Sequence, residues 1–159
     1  MEVADMMIKA VRANEDNFKK YGLYYDLYKT SKQKSGDGWK CSTSDYDFEY
    51  QMPFGYVEVR AHVPFVVDSM ERNSRSKEMQ IVGGKPIVLA VANTQGDAPR
   101  AEDVEAFILY PGDVIVMDVN IWHDASYSLF EETYYYYFSQ DDPSANFIPL
   151  QEGKTVLVT

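Results

Sequence analysis

From residue 46 onward the chain is built of short runs rich in β-branched and aromatic residues, divided by glycine and proline turns. Such a pattern leaves sheet as the main way to satisfy the backbone. The segment Tyr56-Val57-Glu58-Val59-Arg60 alternates with period two, placing Tyr56, Glu58 and Arg60 on one side. His62 to Val67, Met79 to Val82, Pro86 to Ala92, Ala106 to Tyr110, Val114 to Val119 and Thr133 to Phe138 read as further strands. Gly83-Gly84 and Pro111-Gly112-Asp113 punctuate them. The expected class is all-β, a barrel or sandwich, in one domain over 1–159, since 159 residues suffice for a single core. Residues 1–13 read as an N-terminal extension and 30–45, rich in Ser, Gly, Asp and Lys, as a loop. One short helix is expected after Asn14, a residue suited to capping, with Glu15 and Asp16 in its first turn and Phe18 and Tyr21 on its buried face.

Charge narrows the partners. With 15 basic and 25 acidic residues the net charge is −10. Nucleic acid and anionic membrane surfaces call for a basic face, so neither is expected as a partner. The single cysteine, Cys41, excludes an internal disulfide framework. The apolar run Pro86 to Ala92 is far shorter than the roughly 20 residues of a membrane span, and the N-terminus lacks the apolar core of a secretory signal. The expected compartment is therefore the cytoplasm.

The chemistry-bearing residues gather in two places. Glu71 and Asn73 are two apart and share a face on a strand, with Glu78 five further on. Downstream, the Pro111-Gly112-Asp113 turn precedes a strand that ends near Trp122-His123. This spacing has the shape of a cupin signature and groups Glu71, Asn73, Glu78 and His123. An oxygen-rich set with one imidazole suits a divalent metal such as Mn or Fe, with Zn less favoured. The plainer reading makes Glu71 and Glu78 solvated strand acids, Asn73 a turn former and His123 a satisfied structural residue. Asp118 and Asp124 flank His123 and favour an acid–base role. His62 reads as a rim residue. Arg60, Arg72, Arg75 and Lys85 are suited to a substrate carboxylate, or to neutralising nearby acids. Tyr134 to Tyr137 should alternate between the interior and an outer face available to a second copy.

The order of these segments resembles the ureidoglycolate lyases, small cupin-like enzymes of allantoin catabolism. Phe18-Lys19-Lys20-Tyr21-Gly22 is similar to the family's Phe-x-x-Tyr-Gly opening, and Arg60-Ala61 to its Arg-Ala pair. Glu71-Arg72-Asn73 stands where the family has Glu-Arg-His, followed by Glu78 where it has Gln. Gly96-Asp97-Ala98-Pro99 matches its Gly-Asp-x-Pro, and Asn120-Ile121-Trp122-His123-Asp124 its Trp-His-His segment. Asn73, Glu78, Asp118 and Asp124 replace three family histidines and a glutamine. The resemblance implies a cupin-type β-barrel, a homodimer, and cleavage of a C–N bond in a small carboxylate-bearing metabolite, giving glyoxylate and urea. On that footing His123 is the general base, assisted by Asp118, and Glu71 or Glu78 protonates the leaving group. Arg60 or Arg72 holds the carboxylate, and Asn73 and Trp122 complete the substrate site. A divalent metal on Glu71, Glu78 and His123 is the variant of this scheme. A related isomerase or hydrolase, or a non-catalytic small-acid-binding barrel, is the alternative.

Overall fold

The strand Pro86 to Ala92 organises the molecule because both of its faces are apolar. In the computed structural model, which describes residues 6–30, 32–49, 51–60 and 62–159, Ile87 to Ala92 form a strand buried at every position. Period-two alternation sends Ile87, Leu89 and Val91 into one core and Val88, Ala90 and Ala92 into another. A sheet must therefore lie on each side of it.

The strands in chain order are β1 (Met6–Ile8), β2 (Val11–Arg12), β3 (Gly22–Asp26), β4 (Lys32–Gly36), β5 (Trp39–Thr43), β6 (Phe54–Val59), β7 (Phe65–Val67), β8 (Ser69–Met70), β9 (Glu78–Val82), β10 (Ile87–Ala92), β11 (Val104–Leu109), β12 (Asp113–Met117), β13 (Trp122–His123), β14 (Tyr127–Ser128), β15 (Thr133–Phe138), β16 (Ile148–Pro149) and β17 (Val156–Val158). The central sheet has the order β13-β10-β11-β2, with β14 also on β10. On one side lies β1-β17-β7, and Phe65, Val67, Val156 and Val158 pack there against Val88, Ala90 and Trp122. On the other lies β3-β12-β9-β15-β6, whose Val82, Ile115, Met117 and Tyr135 meet Ile87, Leu89 and Phe107. Among the described residues the protein is mostly β, and neither large sheet closes on itself into a barrel.

The short helix forms as expected. In α1 (Glu15–Phe18) the Asn14 side chain accepts from the Asn17 N–H at 2.9 Å, and the Asn17 side chain accepts from the Asn14 N–H at 2.8 Å. Phe18 and Tyr21 pack against Phe107 with ring centroids 5.3 and 5.6 Å away. Gly22 then enters β3 at φ 149°, where a Cβ would lie 1.8 Å from the Val116 carbonyl oxygen, so no other residue fits.

Two expectations are corrected. Residues 30–45 hold a β-hairpin rather than a loop, β4 pairing with β5 from Lys32↔Thr43 to Gly36↔Trp39. The physical reason is the Asp37-Gly38 dipeptide between the strands: Gly38 sits at φ 78°, a left-handed conformation that glycine adopts without strain at the second central position of a tight turn. Residues 1–13 are not simply an extension. β1 pairs in parallel with β17 and β2 with β11, and Ala10 and Ala13 are buried. Residues 1–5 lie outside the described residues, as does Ala61 of the Arg-Ala pair. Among the described residues no helix is long and apolar enough to cross a membrane.

The two-faced burial of β10 generates a stability test. Leu89→Ala should lower the unfolding free energy by about 3–5 kcal/mol in a urea titration, the range for a leucine removed from a packed core. Tyr56→Ala, at a position 60% exposed, should stay within about 1 kcal/mol of the parent.

Candidate functional site

The inner face of β9 changes character along its length. Val82 packs in the core, Gln80 is buried beside it, and Glu78 opens into a cavity of about 570 Å3. β15 runs alongside and turns Tyr135 and Tyr137 to the same space, leaving Tyr134 and Tyr136 outside. The expected alternation of the tyrosines is thus realised.

His123 reaches this cavity from the central sheet. Its backbone exchanges hydrogen bonds with Glu71, whose N–H donates to the His123 carbonyl at 2.9 Å while the His123 N–H donates to the Glu71 carbonyl at 2.8 Å. This two-residue ladder is what brings distant parts of the chain together. The His123 Nε2 lies 3.6 Å from Glu78 Oε2 and 4.0 Å from Glu71 Oε1. Its Nδ1 faces the Ile121 carbonyl oxygen at 3.1 Å. A carbonyl only accepts, so Nδ1 carries the proton, and in the neutral ring Nε2 is an acceptor aimed into the cavity. The turn before it depends on Asn120, at φ 66°, whose N–H donates to the Asn73 carbonyl at 2.9 Å. Asparagine is among the few residues that tolerate this conformation.

Of the other expected site residues, Arg72 and Asn73 line the same cavity, whereas Trp122, Asp118 and Arg60 lie elsewhere. Trp122 neighbours His123 on a strand, so the two side chains point to opposite faces. The indole is buried in the core between the central and outer sheets and donates from Nε1 to the Thr94 carbonyl at 3.1 Å. Asp118 is half-exposed and faces Lys77 Nζ at 3.9 Å rather than His123. Arg60 sits on the outward face of the β6 end, pairing with Glu58 at 3.2 Å and Glu132 at 3.4 Å. Arg72 lines the cavity, but its guanidinium stacks over Trp122 at 4.4 Å and donates to the Gly96 carbonyl at 2.8 Å. His62 is exposed. Asn73 acts as the turn former of the plainer reading. Its Oδ1 accepts from the N–H groups of Arg75 and Ser76, and its Nδ2 donates to the Gln140 carbonyl at 2.7 Å.

Three residues absent from the expected catalytic and binding set help to build the site. Gln80 donates to Glu78 Oε1 at 2.9 Å and so orients that carboxylate. Asp142 receives the Ser74 N–H and hydroxyl on one oxygen and the Ser144 N–H and hydroxyl on the other. These bonds, the Ser144 hydroxyl foremost, hold its carboxyl below the usual range and tie the 139–147 loop to the 71–78 loop above the cavity. Asp124 is buried, and that burial pushes its carboxyl up to about 6, against the lowering effect of the Ala125 N–H and the Tyr127 hydroxyl. Only Asp124 carried an advance signal, its place beside His123. The burial of Gln80 and the closure of the Asp142 loop follow from the topology.

The lining is acidic: Glu71, Glu78, Asp124, Asp141 and Asp142 face Arg72 and His123. Among the described residues no group of three or more His, Cys, Asp or Glu side chains is placed to hold a metal ion. Glu71, Glu78 and His123 therefore do not form the ligand set considered from the spacing. No family model matches the chain, and no curated protein matches it.

The raised Asp124 carboxyl has a signed consequence. The folded state holds its proton up to about pH 6, whereas the unfolded chain releases it near the ordinary value of 3.8. The folded state binds more protons across that window, so this group lowers stability as pH rises from about 4 to about 6. Asp124→Asn should flatten that slope and stabilise the protein above pH 6 by on the order of 1–2 kcal/mol, read from urea titrations across the window.

Proposed function

We propose that the chain is a small-molecule enzyme of the carbon–nitrogen lyase class, built on an open cupin-like arrangement of sheets and working by proton transfer. The observation that carries this reading is the pairing, in one cavity, of an acceptor His123 Nε2 with the protonatable Asp124 carboxyl. A base and an acid whose environments separate their roles are what a proton-transfer site needs.

In this reading His123 takes a proton from a substrate O–H or N–H. For a carbinolamide the oxygen lone pair then forms the carbonyl, the C–N bond breaks, and Asp124 gives its proton to the departing nitrogen. Solvent carries the proton from imidazolium back to Asp124. Glu71 and Glu78 stabilise the imidazolium that forms, since opposite charges 3.6 and 4.0 Å from Nε2 favour it. Gln80 keeps Glu78 turned to that task. Asp124 takes the acid role that the resemblance assigned to Glu71 or Glu78, because its burial holds the proton up to about pH 6, well above an ordinary carboxyl. Asp118 and Arg60 have no part in the scheme.

The test is a panel of carbinolamides and small amino compounds, ureidoglycolate among them, with release of a carbonyl product, urea or ammonia as readout. His123→Gln should lower kcat by about a hundredfold or more, and Asp124→Asn by a similar factor, as expected for loss of a general base or acid. Asp124→Asn should also remove the fall in kcat above about pH 6 that comes from ionising the acid. Arg60→Ala should leave turnover unchanged. Release from no member of the panel, or release indifferent to both His123 and Asp124, would overturn the proposal.

A further inference from the structure

The resemblance brings with it a carboxylate-bearing substrate, and the cavity is poorly suited to one. Of the cations considered for that carboxylate, Arg60 lies on the outer face, Arg72 is occupied by Trp122 and Gly96, Arg75 donates to the Asp141 carbonyl, and Lys85 pairs with Glu131. A carboxylate entering beside Glu71 and Glu78 would meet like charge.

The geometry at His123 points to the opposite ligand chemistry. With the proton on Nδ1 alone, three acceptors converge there: the imidazole Nε2, Glu78 Oε2 at 3.6 Å and Glu71 Oε1 at 4.0 Å. His123 is 94% buried, and no hydrogen-bond partner lies within reach of its Nε2 among the described residues. The Gln80 amide is already spent on the far oxygen of Glu78, Oε1. No buried side-chain nitrogen or oxygen among the described residues lacks a partner, so Nε2 is open to the cavity, and a donor entering there meets all three acceptors. Tyr135 and Tyr137 supply aromatic wall to the same cavity, a surface that also attracts cations.

We infer that Glu71, Glu78 and His123 Nε2 form a three-acceptor seat for a primary ammonium group, so that the substrate is a small protonated amine. An ammonium carries three N–H donors, one for each acceptor. This assignment rests on the proton-transfer reading of the cavity and names the substrate class within it. With an amine seated, the proton that His123 accepts is an N–H proton: the N–H bond breaks, Nε2–H forms, and a neutral amine faces an imidazolium held by two carboxylates.

The experiment titrates the intact protein, at about pH 8 where alkylamines remain protonated, with ethylammonium, tetramethylammonium, glycolate and Mn2+. Calorimetry and the imidazole 15N resonances of the two histidines, His123 being assigned with His123→Gln, are the readouts. Ethylammonium should bind and shift the His123 Nε2 resonance. Tetramethylammonium, with equal charge and no N–H, should bind on the order of tenfold more weakly or not at all. Glu78→Gln, which keeps the side-chain shape, should weaken ethylammonium binding by a similar factor while near-ultraviolet circular dichroism stays unchanged. Any of four results would overturn the assignment: equal binding of the two cations, a His123 shift with glycolate but not ethylammonium, Mn2+ binding at His123 that ethylammonium cannot displace, or no response to ethylammonium. A His123 already doubly protonated in the free protein would do so too, because the ring would then supply its own donor. Loss of the ammonium assignment with His123-dependent product release intact leaves the proton-transfer reading standing. Ethylammonium binding as stated without any turnover leaves the seat and removes the catalysis.

Discussion

The two-faced burial of β10 is the constraint on which the rest of the structure depends. A strand with apolar residues at every position cannot present either face to water, so it demands a layer on both sides. The outer layer is assembled from both ends of the described chain, β1 and β17 pairing in parallel beside β7. The inner layer draws its strands from between Gly22 and Phe138 and carries the cavity face. Because β13 is paired to β10 through Val91↔His123, the position of the histidine is inherited from the most deeply buried strand in the molecule. A side chain mounted in this way has little freedom, and the proposed proton-transfer role calls for that rigidity.

The cavity works against the hydrophobic logic that builds its surroundings. The inner face of β9 passes from Val82 through Gln80 to Glu78, so apolar packing gives way to polar groups within one strand. The polar groups meet different fates. Asp142 receives four donors and serves as a tie between loops. Asp124 receives fewer and is driven toward its neutral form by burial. Identical side chains in one cavity are thus separated into a structural anion and a carboxyl with a raised proton affinity by the number of donors each one meets.

Strand alternation also separates neighbours that sequence alone keeps together. Trp122 and His123 form one apparent motif, yet they belong to different layers, the indole to a core and the imidazole to the cavity. Tyr134 to Tyr137 divide in the same manner. Period two made that division readable in advance for the tyrosines. For Trp122 it is obscured because Trp-His looks like a single motif, although the two are consecutive strand positions.

Local chemistry made much of the fold legible in the sequence: the all-β class from β-branched runs and turn residues, the Asn14 cap from a side chain able to accept backbone N–H groups, and the inside–outside split of Tyr134 to Tyr137. The Asp37-Gly38 hairpin was legible by the same rule, although the polar residues around it resembled a loop. The grouping of Glu71, Glu78 and His123 was suggested by spacing. What only the tertiary structure decided is which charged groups share a space and which donors reach them. Asp118 and Arg60 lie near His123 or Glu71 in sequence terms, and the sheets turn both away. Asp142 and Gln80, unremarkable along the chain, arrive at the cavity through loop closure and strand pairing. Burial and hydrogen-bond supply are properties of three-dimensional neighbourhoods, so the raised carboxyl of Asp124 and the gathering of Glu71 and Glu78 at His123 arise only once the layers are packed.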